Sequence, residues 1–136
     1  RMPAMSTKTA ARPIRRKRPT PGQVLEQAVE IGKVVSALRP FGVKQRMIAQ
    51  ATGAAERSVR NWKRTSVIGP TYEKRLRDLQ QIALILEETL VLHGVGQWLN
   101  APNRLLQHRR PIDVLGEGDV ERVRKAALAF VEGVYV

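Results

Sequence analysis

The chain has 136 residues and carries 24 Lys and Arg against 12 Asp and Glu, a net charge of +12. That length holds one ordinary domain or two small helical units, and the charge argues for a polyanionic partner such as nucleic acid or an anionic membrane surface. The absence of cysteine excludes disulfides, thiol catalysis and Cys-ligated zinc, while the longest apolar run, Ile82–Leu86, falls far short of the roughly 20 residues that span a bilayer.

Charge is uneven along the chain. Residues 1–19 hold seven cations and no acid, residues 20–41 balance, residues 42–77 hold nine cations and two acids, and residues 78–136 hold six cations and eight acids. Polyanion binding is therefore expected within the first 77 residues. Three segments follow from this division: a basic arm over 1–19, a first helical unit over 20–77 and a second over 78–136. In the arm, Pro3, Pro13 and Pro19 break any helix and like charges repel, which predicts disorder. No apolar secretory core follows it, and a cytoplasmic location is the simplest expectation.

Thr20-Pro21-Gly22-Gln23 has the form of a capping box with proline in the first turn. Val24, Ala28, Ile31, Val35 and Leu38 then recur at helical spacing, predicting one helix that ends at Arg39-Pro40. A second helix is expected over Lys44–Ala51, broken by Thr52-Gly53, and a third over Ala55–Arg64 with Val59 and Trp62 as its inner stripe. Thr71 is expected to cap a fourth helix running to Leu92. Its stripe of Leu76, Leu79, Ala83, Leu86 and Leu90 serves either its own core or a second subunit. His93-Gly94-Val95-Gly96 is expected to interrupt the chain. Short helical pieces follow at Gln97–Leu99, Pro102–His108 and Pro111–Leu115. Asp119 is expected to cap a last helix from Val120 to about Glu132, with Val123, Ala127, Phe130 and Val131 inside. No alternating strand pattern appears, so the fold class is all-α.

Residues 42–64 read as a helix-turn-helix, with Gly53 in the turn and Ile48, Val59 and Trp62 fixing the helix pair. The outward face of the second helix carries Arg57, Ser58, Arg60, Asn61, Lys63 and Arg64. Arginine chelates guanine and asparagine pairs with adenine, so Arg57, Ser58 and Asn61 are expected to read bases. Arg60, Lys63 and Arg64 are expected to hold phosphates. Trp62 reads as core rather than as a base-stacking ring. Only six Trp, Tyr and Phe residues are present, too few stacking rings to favour a single-stranded RNA binder.

Enzyme chemistry lacks its parts. The two histidines, His93 and His108, have no third ligand at metal-site spacing, and Glu87-Glu88 are adjacent on a helix and point about 100° apart. No P-loop, GxGxxG or GxSxG stretch occurs. Neither an enzymatic activity nor a cofactor is expected.

The acidic half carries three boxes in order. They are Gln97-Trp98-Leu99-Asn100-Ala101-Pro102-Asn103-Arg104-Leu105-Leu106, then Arg110-Pro111-Ile112-Asp113-Val114-Leu115, and finally Glu132-Gly133-Val134-Tyr135-Val136 after a helix containing Glu121-Arg122-Val123. This region resembles the C-terminal toxin-binding domain of the Xre/MbcA/ParS antitoxin family, most of all its MbcA-like members. The resemblance covers residues 42–136. It implies an Xre-like helix-turn-helix followed by a small helical domain that binds a RES-domain toxin. Such toxins consume NAD, and the antitoxin blocks entry to the NAD pocket. The resemblance places Gly133, Val134, Tyr135 and Val136 at or in that pocket. An apolar tail bearing carboxylate charge suits a cleft built for a dinucleotide, and Glu132 adds an anion. Arg104 and Arg109 are expected as further toxin contacts and Asn103 as a local cap, while Trp98, Leu99, Leu105 and Leu106 hold the domain together. The expected function is thus an antitoxin that neutralises a RES-type toxin and binds double-stranded operator DNA to repress its own operon. A homodimer would match a palindromic operator. The alternative is a helix-turn-helix regulator without a toxin partner.

Overall fold

The computed structural model describes residues 18–65 and 67–133, which hold eight α-helices and no strand. Up to Lys17 the expected basic arm lies outside the described residues.

Helix α1, Pro21–Gln27, begins as its sequence demands. The Thr20 hydroxyl accepts from the Gln23 amide at 3.1 Å, and Gln23 Oε1 accepts from the Thr20 amide at 2.9 Å. The single helix expected as far as Leu38 is instead two, because α2, Ile31–Leu38, starts after an extended Ala28. The cause lies far away in sequence. Gln80 donates from Nε2 to the carbonyls of Leu25 at 2.7 Å and Ala28 at 3.0 Å. Those carbonyls gain partners outside their helix, so the break leaves them satisfied. Leu25, Ala28, Ile31, Val34, Val35 and Leu38 all turn inward, whereas Val24, expected on the inner stripe, is 43% exposed. A 3₁₀ turn, Arg39–Phe41, ends α2 at the proline.

Helices α3, Gln45–Thr52, and α4, Glu56–Asn61, form the expected helix-turn-helix. Gly53 closes α3 at φ 82°, a left-handed conformation that only glycine adopts without steric cost. The Thr52 hydroxyl donates to the Ile48 carbonyl at 2.7 Å and accepts from the Ala54 amide at 3.3 Å, knitting the turn together. The α-helix expected to reach Arg64 stops at Asn61 and tightens into a 3₁₀ turn, Trp62–Arg64.

Helix α5, Pro70–Leu86, starts with Pro70 in its first turn after Gly69, so Thr71 is inside the helix and does not cap it. It stops at Leu86 rather than Leu92, where a turn reverses the chain into α6, Leu92–Asn100. His93-Gly94-Val95-Gly96, expected as an interruption, lies within α6. Gly96 is there for proximity: a β-carbon on it would sit 2.6 Å from the Gly42 carbonyl oxygen. Gly116 does the same where α7, Pro111–Gly116, meets α3, since a β-carbon there would collide with the Gln50 carbonyl oxygen. Helix α8, Val120–Glu132, has the expected bounds, with Asp119 accepting from the Arg122 amide.

Helix α5 is the hub. It packs against α1, α2, α3, α7 and α8, and it buries Leu76, Leu79, Ile82, Ala83 and Leu86 completely. The apolar stripe thus serves the protein's own core as far as Leu86, while Leu90, beyond the helix, is half-buried, as are Leu84 and Ile85. One cluster of buried side chains runs from Leu25 to Ala127, and the boundary expected near residue 77 falls inside α5.

Candidate functional site

Two surfaces carry the candidate residues. The first is the exposed side of α4. Val59 and Trp62 face inward, and Trp62 is only 5% exposed with its ring centroid 5.9 Å from that of Tyr72. Packing those two residues inward turns Arg57, Arg60 and Asn61 out to solvent and leaves Ser58 half-buried. Arg60 reaches Glu56 one turn back at 3.8 Å, while Arg57 has no ion-pair partner among the described residues. Arg57 and Asn61 are four residues apart and share one helix face. Lys63 and Arg64 lie beyond the α-helix in the 3₁₀ turn, which packs against α2.

The second surface is built by residues 98–133. Asn103 is the local cap expected: its Oδ1 accepts from the Leu105 amide at 2.9 Å. Asn103 and Arg109 pair through their backbones and close the loop between them, and Gln107 and His108 take positive φ to make the closure. Arg110 forks onto Asp113 at 2.9 and 3.0 Å and donates to Asn100 Oδ1 at 2.8 Å. Its guanidinium thereby joins the end of α6 to the first turn of α7, which accounts structurally for the Arg110–Leu115 box. The hydrogen bond and charge of Asp113 raise the Arg110 pKa. Arg109 is likewise committed, gripping Glu117 through both of its terminal nitrogens. That hydrogen bond raises the Arg109 pKa and, with the charges of Arg109 and Arg122, holds the Glu117 carboxyl below the ordinary carboxylate range. Arg104, by contrast, is exposed and has no ion-pair partner among the described residues.

Leu99 and Leu106 are buried as expected, but Leu105 is 42% exposed and Trp98 only half-buried. In a turn as short as Arg104–Leu106 two adjacent leucines cannot both face inward. Leu105 instead joins Trp98, Pro102, Arg104 and Phe130 around an open recess of about 180 Å³. The Trp98 and Phe130 rings tilt against each other with centroids 6.1 Å apart. Phe130 lies one turn before Gly133, which ends α8 at φ 73° with open space around it. Gly133 thus closes α8 one turn beyond the recess. Val134, Tyr135 and Val136 lie outside the described residues. Glu132 is exposed in the last turn of α8, where the helix dipole disfavours an anion.

Residues 93–126 match the model of the antitoxin Xre/MbcA/ParS C-terminal toxin-binding domain. The matched domain is that of a family of antitoxins. Over 112 residues the chain is 46% identical to a probable mycobacterial cidal antitoxin of Mycobacterium tuberculosis, Rv3188, spanning 82% of this chain and 96% of the relative. It is 34% identical over 104 residues to the mycobacterial cidal antitoxin MbcA of Mycobacterium bovis, spanning 76% and 92%. A chain in the crystal structure of the M. tuberculosis MbcT–MbcA toxin–antitoxin complex superposes with a TM-score of 0.68 at 31% identity, covering 80% of this chain and 100% of that one. The chain belongs to the MbcA-like antitoxins of the Xre/MbcA/ParS family.

Proposed function

We propose that the chain neutralises a RES-domain, NAD-degrading toxin by occluding its NAD pocket and represses its own operon by binding operator DNA. The observation that carries the toxin half is the recess lined by Trp98, Leu105 and Phe130 near the end of α8. Trp98 and Phe130 pack against the core yet leave one side open to this recess, and Arg104 and Glu132 are exposed with no ion-pair partner among the described residues. In this reading Trp98, Leu105 and Phe130 seat a toxin element, Arg104 flanks it, Arg109 meets the toxin from outside the recess while it holds Glu117, and Glu132 to Val136 reach the pocket. The relative in the solved structure is held in a complex with a toxin, MbcT, which supports a partner of that class. The DNA half rests on the unpaired outward face formed by Arg57, Ser58 and Asn61, with Arg60, Lys63 and Arg64 on phosphates. A homodimer would present two such faces to a palindromic site.

The test is a chain lacking Gly133–Val136. It is expected to lose toxin neutralisation, read as NAD loss in a mixture with the RES-domain protein encoded beside it. It is also expected to bind duplex from its own upstream region as the full chain does. Full neutralisation by the shortened chain would refute pocket occlusion. Replacing Arg57 and Asn61 by alanine should erase preference for that duplex over a scrambled one, and a preserved preference would remove them as base readers. Failure of any RES-domain protein to bind would leave a regulator without a toxin.

A further inference from the structure

Among the described residues, Arg60, Lys74, Arg77, Arg109, Arg110, Arg122 and Arg124 each meet a carboxylate. Of the cations that meet none, Lys33, Arg39, Lys44, Lys63 and Arg64 are all exposed and gather around one groove, whereas Arg57 and Arg104 lie elsewhere on the surface. Helix α2 and its end supply one wall, with Lys33, Ser36 and Arg39. The 3₁₀ turn of Lys63 and Arg64 supplies the other, and Lys44, just ahead of α3, lies at one end. The main part of the groove has a volume of about 810 Å³, and the adjoining recess shares Ser36 and Lys63 with it. Glu30 is the one acid among the described residues that line it.

The spacing of the walls is set by backbone. A β-carbon on Gly32 would lie 2.9 Å from the Lys63 carbonyl oxygen, so α2 and the 3₁₀ turn touch directly. Lys33, Ser36 and Arg39 recur every three residues, each next to the last along α2 and its end. About 9 Å of helix rise separates Lys33 from Arg39, so the cations are spread along the groove rather than gathered at one point. A row of unpaired cations in a groove focuses positive potential along a line, which suits an extended polyanion better than a single anion. Lys63 and Arg64 directly follow α4 in the chain, so one wall of the groove adjoins the end of that helix.

We propose that this groove receives the sugar-phosphate backbone of duplex DNA beside the bases that α4 faces, with Lys33, Arg39 and Lys44 as phosphate contacts. The proposal rests on the DNA-binding reading above and extends its footprint to α2, outside the helix-turn-helix. Phosphate neutralisation releases condensed counterions, so each contact contributes about 0.9 to the slope of log affinity against log salt.

The test measures binding of the full chain to a 30-base-pair duplex of arbitrary sequence between about 50 and 200 mM salt, a window in which counterion release changes affinity steeply. The triple variant K33Q/R39Q/K44Q is expected to have a slope shallower by about 2.7, so that it loses roughly 40-fold less affinity across that window than the parent. The charge-preserving variant K33R/R39K/K44R should keep the parental slope, as should K74Q/K125Q, which removes charge from elsewhere on the surface. A parental slope in the glutamine triple variant would overturn the groove while leaving DNA binding by α4 in place. An equal loss of slope in K74Q/K125Q would also overturn it, since any surface charge would then serve. Absence of duplex binding by the parent at 50 mM salt would overturn the DNA-binding reading and the groove with it.

Discussion

Arg109 and Glu117 show how a single pair ties the toxin-binding segment down. Arg109 precedes Arg110 at the close of the 103–109 loop, and Glu117 follows the end of α7. Folding lowers the Glu117 pKa. Its contribution is therefore fully present above the unfolded carboxylate value and is lost as the pH falls through the lower folded value. Both side chains are well exposed, so the effect on stability is small and screened by salt. The measurable consequence is local. Arg109→Gln should raise the Glu117 carboxyl toward its ordinary value in an NMR titration, with little change in the melting temperature. An unmoved titration would mean that the pair does not form in solution. The neighbouring Arg104, four residues before His108, has no such tether. Two arginines that look equivalent in sequence are thus unequal in the fold, one spent internally and one available.

At the scale of elements, the division of the first helix is the instructive case. Val24, Ala28, Ile31, Val35 and Leu38 fit one helical stripe, and nothing local forbids an unbroken helix. The break comes from Gln80, a buried amide on α5 whose donor bridges the Leu25 and Ala28 carbonyls. Replacing Gln80 by leucine, of similar size, should leave both carbonyls without that donor. The expected cost is about 1–3 kcal/mol in chemical denaturation. An unchanged midpoint would mean that water or the helix itself satisfies them. The same logic governs α6. Glycines at 94 and 96 read as helix breakers, yet Gly96 is required by the approach of the Phe41–Gly42 backbone. By contrast the capping box at Thr20, the Gly53 turn and the Asp119 cap were legible in the sequence, because each is closed by residues within a few positions of one another.

At the scale of the molecule, the helix-turn-helix and the toxin-binding segment share one core rather than two. Arg75 on α5 makes the connection visible. Its Nη1 donates to the Thr52 carbonyl at 3.3 Å and to the Gly116 carbonyl at 3.0 Å, the last residues of α3 and α7. A cation between two helix C-termini is favoured by both dipoles. Arg75→Met, which keeps much of the aliphatic stem, should destabilise the chain by about 1.5–3 kcal/mol, the range for hydrogen bonds from charged groups. Unfolding should stay a single transition when followed by Trp62 and Trp98 fluorescence and by helicity. Two separate transitions would mean that residues 20–77 and 78–133 fold independently.

The sequence by itself determined the all-α class, most helix starts, the turn of the helix-turn-helix and the boxes that mark the family. These depend on neighbours in the chain and on a 3.6-residue period, both of which can be read along a line. Tertiary structure decided which apolar residues stay exposed, which cations are already paired and where two glycines admit a neighbouring backbone. Leu105 faces the recess and Leu106 the core, while Lys33 faces the same groove as Lys63 thirty residues later. The net charge of +12 is one number in the sequence. Among the described residues packing sorts the cations into carboxylate-bound ones on α5 and α8 and just ahead of α7, with Arg60 on α4, and others around α2 and α4 that meet no carboxylate. That sorting is a matter of distances across the fold, which no local pattern encodes.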